Sequence, residues 1–201
     1  MVEETKIDTN LYSRQIGTFG LETMGKLVKM NVLIIGMRGL GVEVAKNLCL
    51  AGPKSVTLYD PNVVSIADLG SNFYLKEEHV GTITRADASV TLLRELNPYV
   101  VTQVISEFNN EMIGNFNVIV ITENFVGISA LNVINNLCRA ANVGFILAET
   151  MGLSGYTFLD YGSNFIVTDK DGEMTRSFII SSIEQTENPV VYVHEDKRHS
   201  F

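Results

Sequence analysis

The chain has 201 residues, 46% of them hydrophobic, and a formal net charge of −8. That suffices for one well-filled core with room for a second small unit, and it is too acidic for nucleic acid as the main partner, since phosphate binding asks for a basic surface. Two cysteines without a CxxC pair argue against a zinc site, and no apolar run reaches membrane-spanning length, so a soluble cytoplasmic or nuclear protein without a membrane partner is expected.

Residues 1–30 read as a helical extension packing on the core. Asp8 or Thr9 would cap the helix, and Leu11, Ile16, Leu21, Met24, Leu27 and Met30 supply its apolar positions. A polar cluster, Tyr12-Ser-Arg-Gln-Ile16, lies within it. The apolar run up to Ile35 then predicts a buried strand over 31–35, followed by a glycine turn, Gly36-Met37-Arg38-Gly39-Leu40-Gly41, and a helix over 40–51. Strand, glycine turn and helix are the nucleotide-binding start of a doubly wound fold. One position departs from the G-x-G-x-x-G pattern: Arg38 stands where the second glycine lets backbone approach a pyrophosphate. Arg38 reads as a surface arginine filling an unused pocket, or as a cation for phosphate that must first leave the glycine's space.

Gly52-Pro53 closes the helix, and Ser55 to Tyr59 is a second strand ending at Asp60. An acid about 20 residues past the glycine turn is where such folds hold a ribose; an acid opening a turn before Pro61 is an equally good reading. A long connection over 61–82 follows, then a helix over 83–96 stopped by Asn97-Pro98. Strands are predicted over 100–105, 117–122 and 143–148, with a helix over 127–141 between the last two. The pattern then turns to strands alone. Gly155 to Tyr161 and Asn164 to Thr168 alternate as antiparallel strands do, Asp169-Lys-Asp-Gly172 signals a turn, and Ser177 to Ile183 and Pro189 to Val193 follow. The fold class is α/β with a mostly parallel sheet over 31–170, followed by the start of a small β domain over 171–201.

Several stretches together resemble the ubiquitin-activating enzyme family: Tyr12 to Ile16, Asn31 to Asn47, Asp68 to Leu75, Arg94-Glu-Leu-Asn-Pro98, Asp160-Tyr-Gly162, Asp169 to Glu173 and Asp196 to Phe201. Such an enzyme resembles two fused copies of the bacterial adenylyltransferases of molybdopterin and thiamine synthesis. The first copy is an inactive half; the second carries ATP chemistry. The resemblance implies a Rossmann-like adenylyltransferase fold, the inactive half of a longer chain, and the first residues of a catalytic-cysteine half-domain. It implies that ATP and Mg²⁺ bind in the other half. The implied partners are that active half, ubiquitin, and ubiquitin-conjugating enzymes acting through the full enzyme. Here Gly36, Arg38, Gly39, Gly41 and Asp60 are then the vestige of a nucleotide site. No phosphate-neutralising arginine stands within Gly70-Ser71-Asn72, and Thr84 stands where active copies carry a lysine, the next cation being Arg85. Glu123 is an imperfect substitute for the magnesium-holding aspartate.

Arg14 is the exception. The resemblance implies that it reaches across a pseudo-dimer to the ATP phosphates of the active half, as a fixed cation aimed at developing charge. Without the resemblance it reads as a helix-surface arginine paired with Glu22 or Asp8. Cys49 and Cys138 read as buried thiols, and His79, His194 and His199 have no nucleophilic partner nearby. Three other identities are consistent with parts of the pattern: an NAD(P)-binding oxidoreductase domain, the inactive subunit of a SUMO- or NEDD8-activating heterodimer, and an unrelated Rossmann-like binding module.

Overall fold

The computed structural model describes residues 7–125, 127–167, 178–185 and 189–195. Two compact units are present, Met1–Asn164 and Phe165–Phe201.

The first unit is built on a six-stranded sheet. Its strands are β1 (Asn31–Ile35), β2 (Ser55–Tyr59), β3 (Val101–Val104), β4 (Val118–Ile121), β5 (Gly144–Met151) and β6 (Ser154–Asp160), in the order β3-β2-β1-β4-β5-β6. The first five are parallel, with Val32 opposite Val56 on one side and Val118 on the other. β6 pairs antiparallel with β5. β1 is apolar and buried from Val32 to Ile35 because it is central and covered on both faces. Alternate side chains point to opposite faces. Val32 and Ile34 enter a core with Val42, Ala45, Cys49, Val90 and Leu93, from α2 (Gly39–Ala51) and α3 (Arg85–Leu96). Leu33 and Ile35 enter a second core with Leu131, Ile134 and Cys138, from α4 (Ile128–Ala141). Each such fully buried aliphatic side chain contributes roughly 1.5–3 kcal/mol.

Local chemistry sets the helix ends. Gly52 takes φ +90°, a left-handed conformation open to glycine, and its N–H closes α2 on the Leu48 carbonyl, with Pro53 barring continuation. Thr84 caps α3 by accepting the Asp87 N–H, so that helix begins two residues later than its apolar pattern suggests.

Three expectations are corrected. The extension is not one helix over 8–30: α1 spans Ser13–Leu27 and is broken at Gly20, whose φ of +79° lies outside helical geometry. Asp8 caps a turn ahead of it, accepting the Asn10 and Leu11 N–H groups. Asn164 to Val167 form no strand, and Thr168 lies outside the described residues. The antiparallel partner of β6 is β5, reached through a tight turn at Gly152-Leu153. β6 stops at Asp160, whose carboxylate binds the Arg139 guanidinium and accepts the Gly162 N–H, turning the chain off the sheet. This pairing holds the Asp160 carboxyl down at about 2.

The second unit contains β7 (Phe178–Glu184) and β8 (Val190–Glu195), paired antiparallel with a bulge between Ile180 and Ser182. The expected turn at Asp169 to Gly172, and Arg198 and His199, lie outside the described residues. Among the described residues no helix is long and apolar enough to cross a membrane.

Candidate nucleotide crevice

The sheet order reverses between β1 and β4, and open α/β sheets place ligands at the carboxyl ends of the strands there. The glycine turn occupies that position. Gly36 has φ +97°, and a β-carbon on it would stand 2.7 Å from the Glu123 Cβ. One on Gly41 would stand 2.0 Å from the Gly36 carbonyl oxygen, and one on Gly39 would stand 2.9 Å from the Ser71 Cβ. The Thr122 hydroxyl donates to the Gly36 carbonyl at 2.8 Å, tying the turn to the end of β4. These three glycines are required by the fold itself, whatever the turn binds.

Arg38 needs no such freedom. Its backbone is extended, with φ −74° and ψ −170°. Its side chain lies over the mouth of the crevice, with Nε 3.3 Å from Glu123 Oε1 and 3.6 Å from Asp68 Oδ1. The side chain is 62% exposed, so it is a surface arginine leaning on two acids below it.

Beneath it lies a second arginine that is only 1% exposed. Arg85 is the first residue of α3. It donates through Nε to Asp60 Oδ2 at 2.8 Å and through Nη2 to Asp60 Oδ1 at 3.0 Å. It also donates to Asp68 Oδ1 at 3.2 Å and to Glu123 Oε2 at 2.8 Å. Asp60 further accepts the Met37 N–H at 2.7 Å and the Asn62 N–H at 3.0 Å. Both oxygens of the ribose candidate therefore already accept two hydrogen bonds each. Burial works against the charged form of Arg85, and the hydrogen bonds and charges of its three acids outweigh it, raising its pKa. Burial also pushes Asp68 upward, but the Ser65 hydroxyl and N–H, together with Arg85, hold it below the usual carboxylate range. For Glu123 burial wins over Arg85 and Arg38, and its pKa is raised. Three carboxylates against two guanidinium groups leave the crevice with one net negative charge.

The connection over 61–84 is folded onto this cluster. A short 3-10 helix, Ile66–Gly70, is held by Ser65 and Asp68 through a capping box. Asn72 is fully buried; its Nδ2 donates to the Met37 carbonyl at 2.9 Å and to Ser89 Oγ at 3.2 Å. Ser71 abuts Gly39, and Thr84 serves as the α3 cap. Arg85 and Asn72 are noted in the sequence, one as the next cation after Thr84 and one beside Ser71, but their roles in the site are not foreseen there. For Arg85 a signal existed, since Asp60 and Glu123 both stood out as acids with no cation assigned to them.

Arg14 lies elsewhere. It is exposed, on the first turn of α1. Neighbouring Tyr12 packs on Gly52, just past the C-terminus of α2, whereas the glycine turn sits at the N-terminus of α2. At 1.5 Å per residue that helix sets them roughly 20 Å apart. Neither suggested ion pair forms: Glu22 binds Lys26 at 2.8 Å, and Asp8 serves backbone N–H groups and, at 3.4 Å, the Tyr99 hydroxyl. Among the described residues Arg14 makes no ion pair.

Cys49 and Cys138 are buried, and burial raises both thiols, Cys138 to about 11, so both are neutral and unreactive near pH 7. His79 accepts the Lys76 N–H and closes a short 3-10 turn. Among the described residues no group of His, Cys, Asp and Glu is placed to hold a metal ion.

Comparison with known proteins relates nearly the whole chain to one family. A model of the ThiF family matches residues 12–187. The chain is 44% identical over 199 residues to "Ubiquitin-activating enzyme E1 1" of Schizosaccharomyces pombe, covering 99% of this chain and 19% of that protein. It is 42% identical to "Ubiquitin-like modifier-activating enzyme 1" of Dictyostelium discoideum over 98% of this chain and 19% of that protein. It is 39% identical to the mouse protein of the same name, over 98% of this chain and 18% of that one. The chain thus spans about a fifth of the length of these curated relatives.

Proposed function

The chain belongs to the ThiF family, and on that premise we propose that it serves as the inactive adenylation half of a ubiquitin-activating enzyme. In this reading the full enzyme uses ATP to adenylate the C-terminus of ubiquitin and passes ubiquitin to a catalytic cysteine. This half is a pseudo-dimer scaffold for the active half and lends it Arg14. The likeness to the Schizosaccharomyces pombe ubiquitin-activating enzyme supports ubiquitin as the protein activated.

One observation carries the inactive reading: Asp60, the acid that would hold a ribose, is held by Arg85 through both oxygens. A nucleotide hydroxyl would have to displace a buried, bidentate ion pair, and such pairs are among the strongest contacts in a protein. The same obstacle opposes an oxidoreductase reading, which needs the same acid. The phosphates fare no better. Adenylation places negative charge on a triphosphate and releases pyrophosphate, so cations must offset that charge as the bond breaks. Arg85 is committed to three acids, Arg38 leans on two of them, and the net charge of the crevice is negative. Losing one good electrostatic contact of this kind costs on the order of 10²–10³ in rate. The residues present do not fit Mg²⁺–ATP.

Arg14 supports the scaffold reading by its placement. An exposed arginine about one helix length from its own glycine turn is too far to serve that turn. It is free to serve a site on a partner. A surface for such a partner exists at the β5–β6 edge of the sheet, where Met151, Tyr156, Phe158 and Leu159 are each at least 44% exposed.

Thermal unfolding with and without Mg²⁺–ATP tests the inactive reading. ATP is expected to leave the melting temperature of this chain unchanged. A saturable rise would overturn it. In the full enzyme, Arg14→Ala is expected to slow ATP–pyrophosphate exchange, and an unchanged rate would remove the trans role.

A further inference from the structure

We infer that Tyr12 is a positioning residue for Arg14: it pins the arm at the C-terminal end of α2 so that the guanidinium two residues later is aimed outward from a fixed base. This rests on the trans role proposed for Arg14 and names what makes that role geometrically possible.

Tyr12 is 4% exposed and is the sole buried residue between Ile7 and Thr23. The next buried side chain in α1 is Met24, beyond the break at Gly20. The turn that carries Arg14 is therefore not held through the rest of its helix. It is held through Tyr12, whose backbone carbonyl accepts the Ile16 N–H at 2.8 Å and so opens the helix. Two features seat the Tyr12 ring. Gly52 offers no side chain: a β-carbon there would stand 2.4 Å from the Tyr12 hydroxyl and 2.7 Å from its ring. Asn97, 5% exposed, donates through Nδ2 to the Tyr12 hydroxyl at 3.0 Å and to the Cys49 carbonyl at 3.0 Å. Asn97 thus bridges the arm to the last turn of α2. Gln15 adds one long contact of its amide to the Leu50 carbonyl at 3.5 Å. The same glycine that ends α2 thereby makes the seat for the arm, and the asparagine that ends α3 latches it.

Positioning matters because an electrostatic contact to phosphate depends steeply on placement. A shift of about 1 Å at a distance from the chemistry can cost on the order of 10²-fold in rate. An arginine on an unanchored helical turn would lose that order of effect while keeping its charge.

The test is a double-mutant cycle in the full-length enzyme, read as kcat/KM for ATP in pyrophosphate exchange. Gly52→Ala unseats the ring and is expected to slow exchange on the order of 10²-fold. In an Arg14→Ala background the same substitution is expected to cost nothing further, because the only catalytic group it displaces is already gone. Tyr12→Ala, which leaves the α2 end intact, should reproduce both results should Gly52→Ala fail to fold. Tyr12→Phe keeps the ring and should hold exchange within about tenfold of the parent. If the anchor and Arg14 effects multiply, Tyr12 acts through general stability and the inference is overturned. If Arg14→Ala slows exchange but both anchor variants keep the parent rate, the arm is aimed by something else. If Arg14→Ala itself has no effect, the trans role fails first and the positioning role falls with it.

Discussion

Two arginines lie near opposite ends of α2, one from α3 and one from α1, in opposite circumstances. At its N-terminal end Arg85 is 1% exposed and makes four hydrogen bonds to three acids. Near its C-terminal end Arg14 is exposed and, among the described residues, has no ion-pair partner. Arg85 sits beside a glycine turn, where a phosphate-binding cation would be sought; Arg14 sits on a short arm, where none would be. Yet a cation already neutralised by buried carboxylates has little field left for a ligand, and one held in solvent by a rigid neighbour keeps all of its own. In this chain the nucleotide-like geometry and the available charge have come apart.

The contrast breaks hardest at Arg85. Arg85→Met would leave Asp60, Asp68 and Glu123 facing one another with only the exposed Arg38 to offset them. Removing one partner of a buried pair costs about 3–5 kcal/mol, a large part of the ordinary stability of a domain. Urea unfolding at pH 7 measures it. The pH dependence contributed by Asp68 should also flatten. In the parent Asp68 has a lowered folded pKa, so its contribution is present at neutral pH and lost as pH falls below the ordinary carboxylate value. Without the Arg85 charge and hydrogen bond, Asp68 loses part of that lowering, so the variant should lose less stability than the parent as pH falls through the carboxylate range. A variant as stable as the parent at pH 7 would mean that the cluster is not what closes the crevice.

That cluster was hard to read in the sequence for a physical reason. Arg85 draws its partners from positions 60, 68 and 123, and only the fold brings these together. By contrast β1 and β2 stand at 31–35 and 55–59 as predicted, because burial on both faces leaves a mainly apolar signature, Val32 to Ile35 in β1 and Val56, Leu58 and Tyr59 in β2. α2 ends where Gly52-Pro53 says it must. The alternation in Asn164 to Thr168 predicted a strand that Asn164 to Val167 do not form; alternation alone does not place a segment on a sheet edge, and the chain leaves β6 at Asp160, whose carboxylate accepts the Gly162 N–H. Gly20 was passed over as a helix interior residue, although its positive φ there separates the Arg14 turn from Met24. The sequence motif Tyr12 to Ile16 drew attention to Arg14, but the burial of its neighbour Tyr12 was not legible, because its seat is made by Gly52 and Asn97, far along the chain.

A smaller effect is expected at Glu123, where burial outweighs both arginines and raises the pKa above the ordinary 4.5. A carboxylate with a raised folded pKa favours the fold at low pH, and that advantage is lost as pH rises through its folded value. Glu123→Gln should therefore equal the parent or exceed it by up to about 1 kcal/mol at pH 7, with the difference vanishing below the ordinary carboxylate range. Chemical denaturation at several pH values follows it. A loss of more than about 1 kcal/mol at pH 7 would show that Glu123 holds the cluster together rather than crowding it.

The smallest effect on stability is expected at Arg14, and it gives the comparison its control. Arg14→Ala removes an exposed side chain with no ion pair among the described residues, and the hydrogen bond recorded at this position, from the Thr18 hydroxyl, goes to a backbone carbonyl that alanine retains. Alanine is also the better helix former. The change in unfolding free energy should stay within about 0.5 kcal/mol, and urea midpoints across pH 5–8 should overlay the parent. Set beside Arg85→Met, the loss of the same kind of charge then costs the fold nearly nothing at one end of α2 and several kcal/mol at the other. A loss at Arg14 of more than about 1 kcal/mol would place it among the structural arginines. Any slowing of exchange in the full enzyme would then have to be read first as a folding defect, since only a cation the fold does not need can be assigned to a partner's substrate.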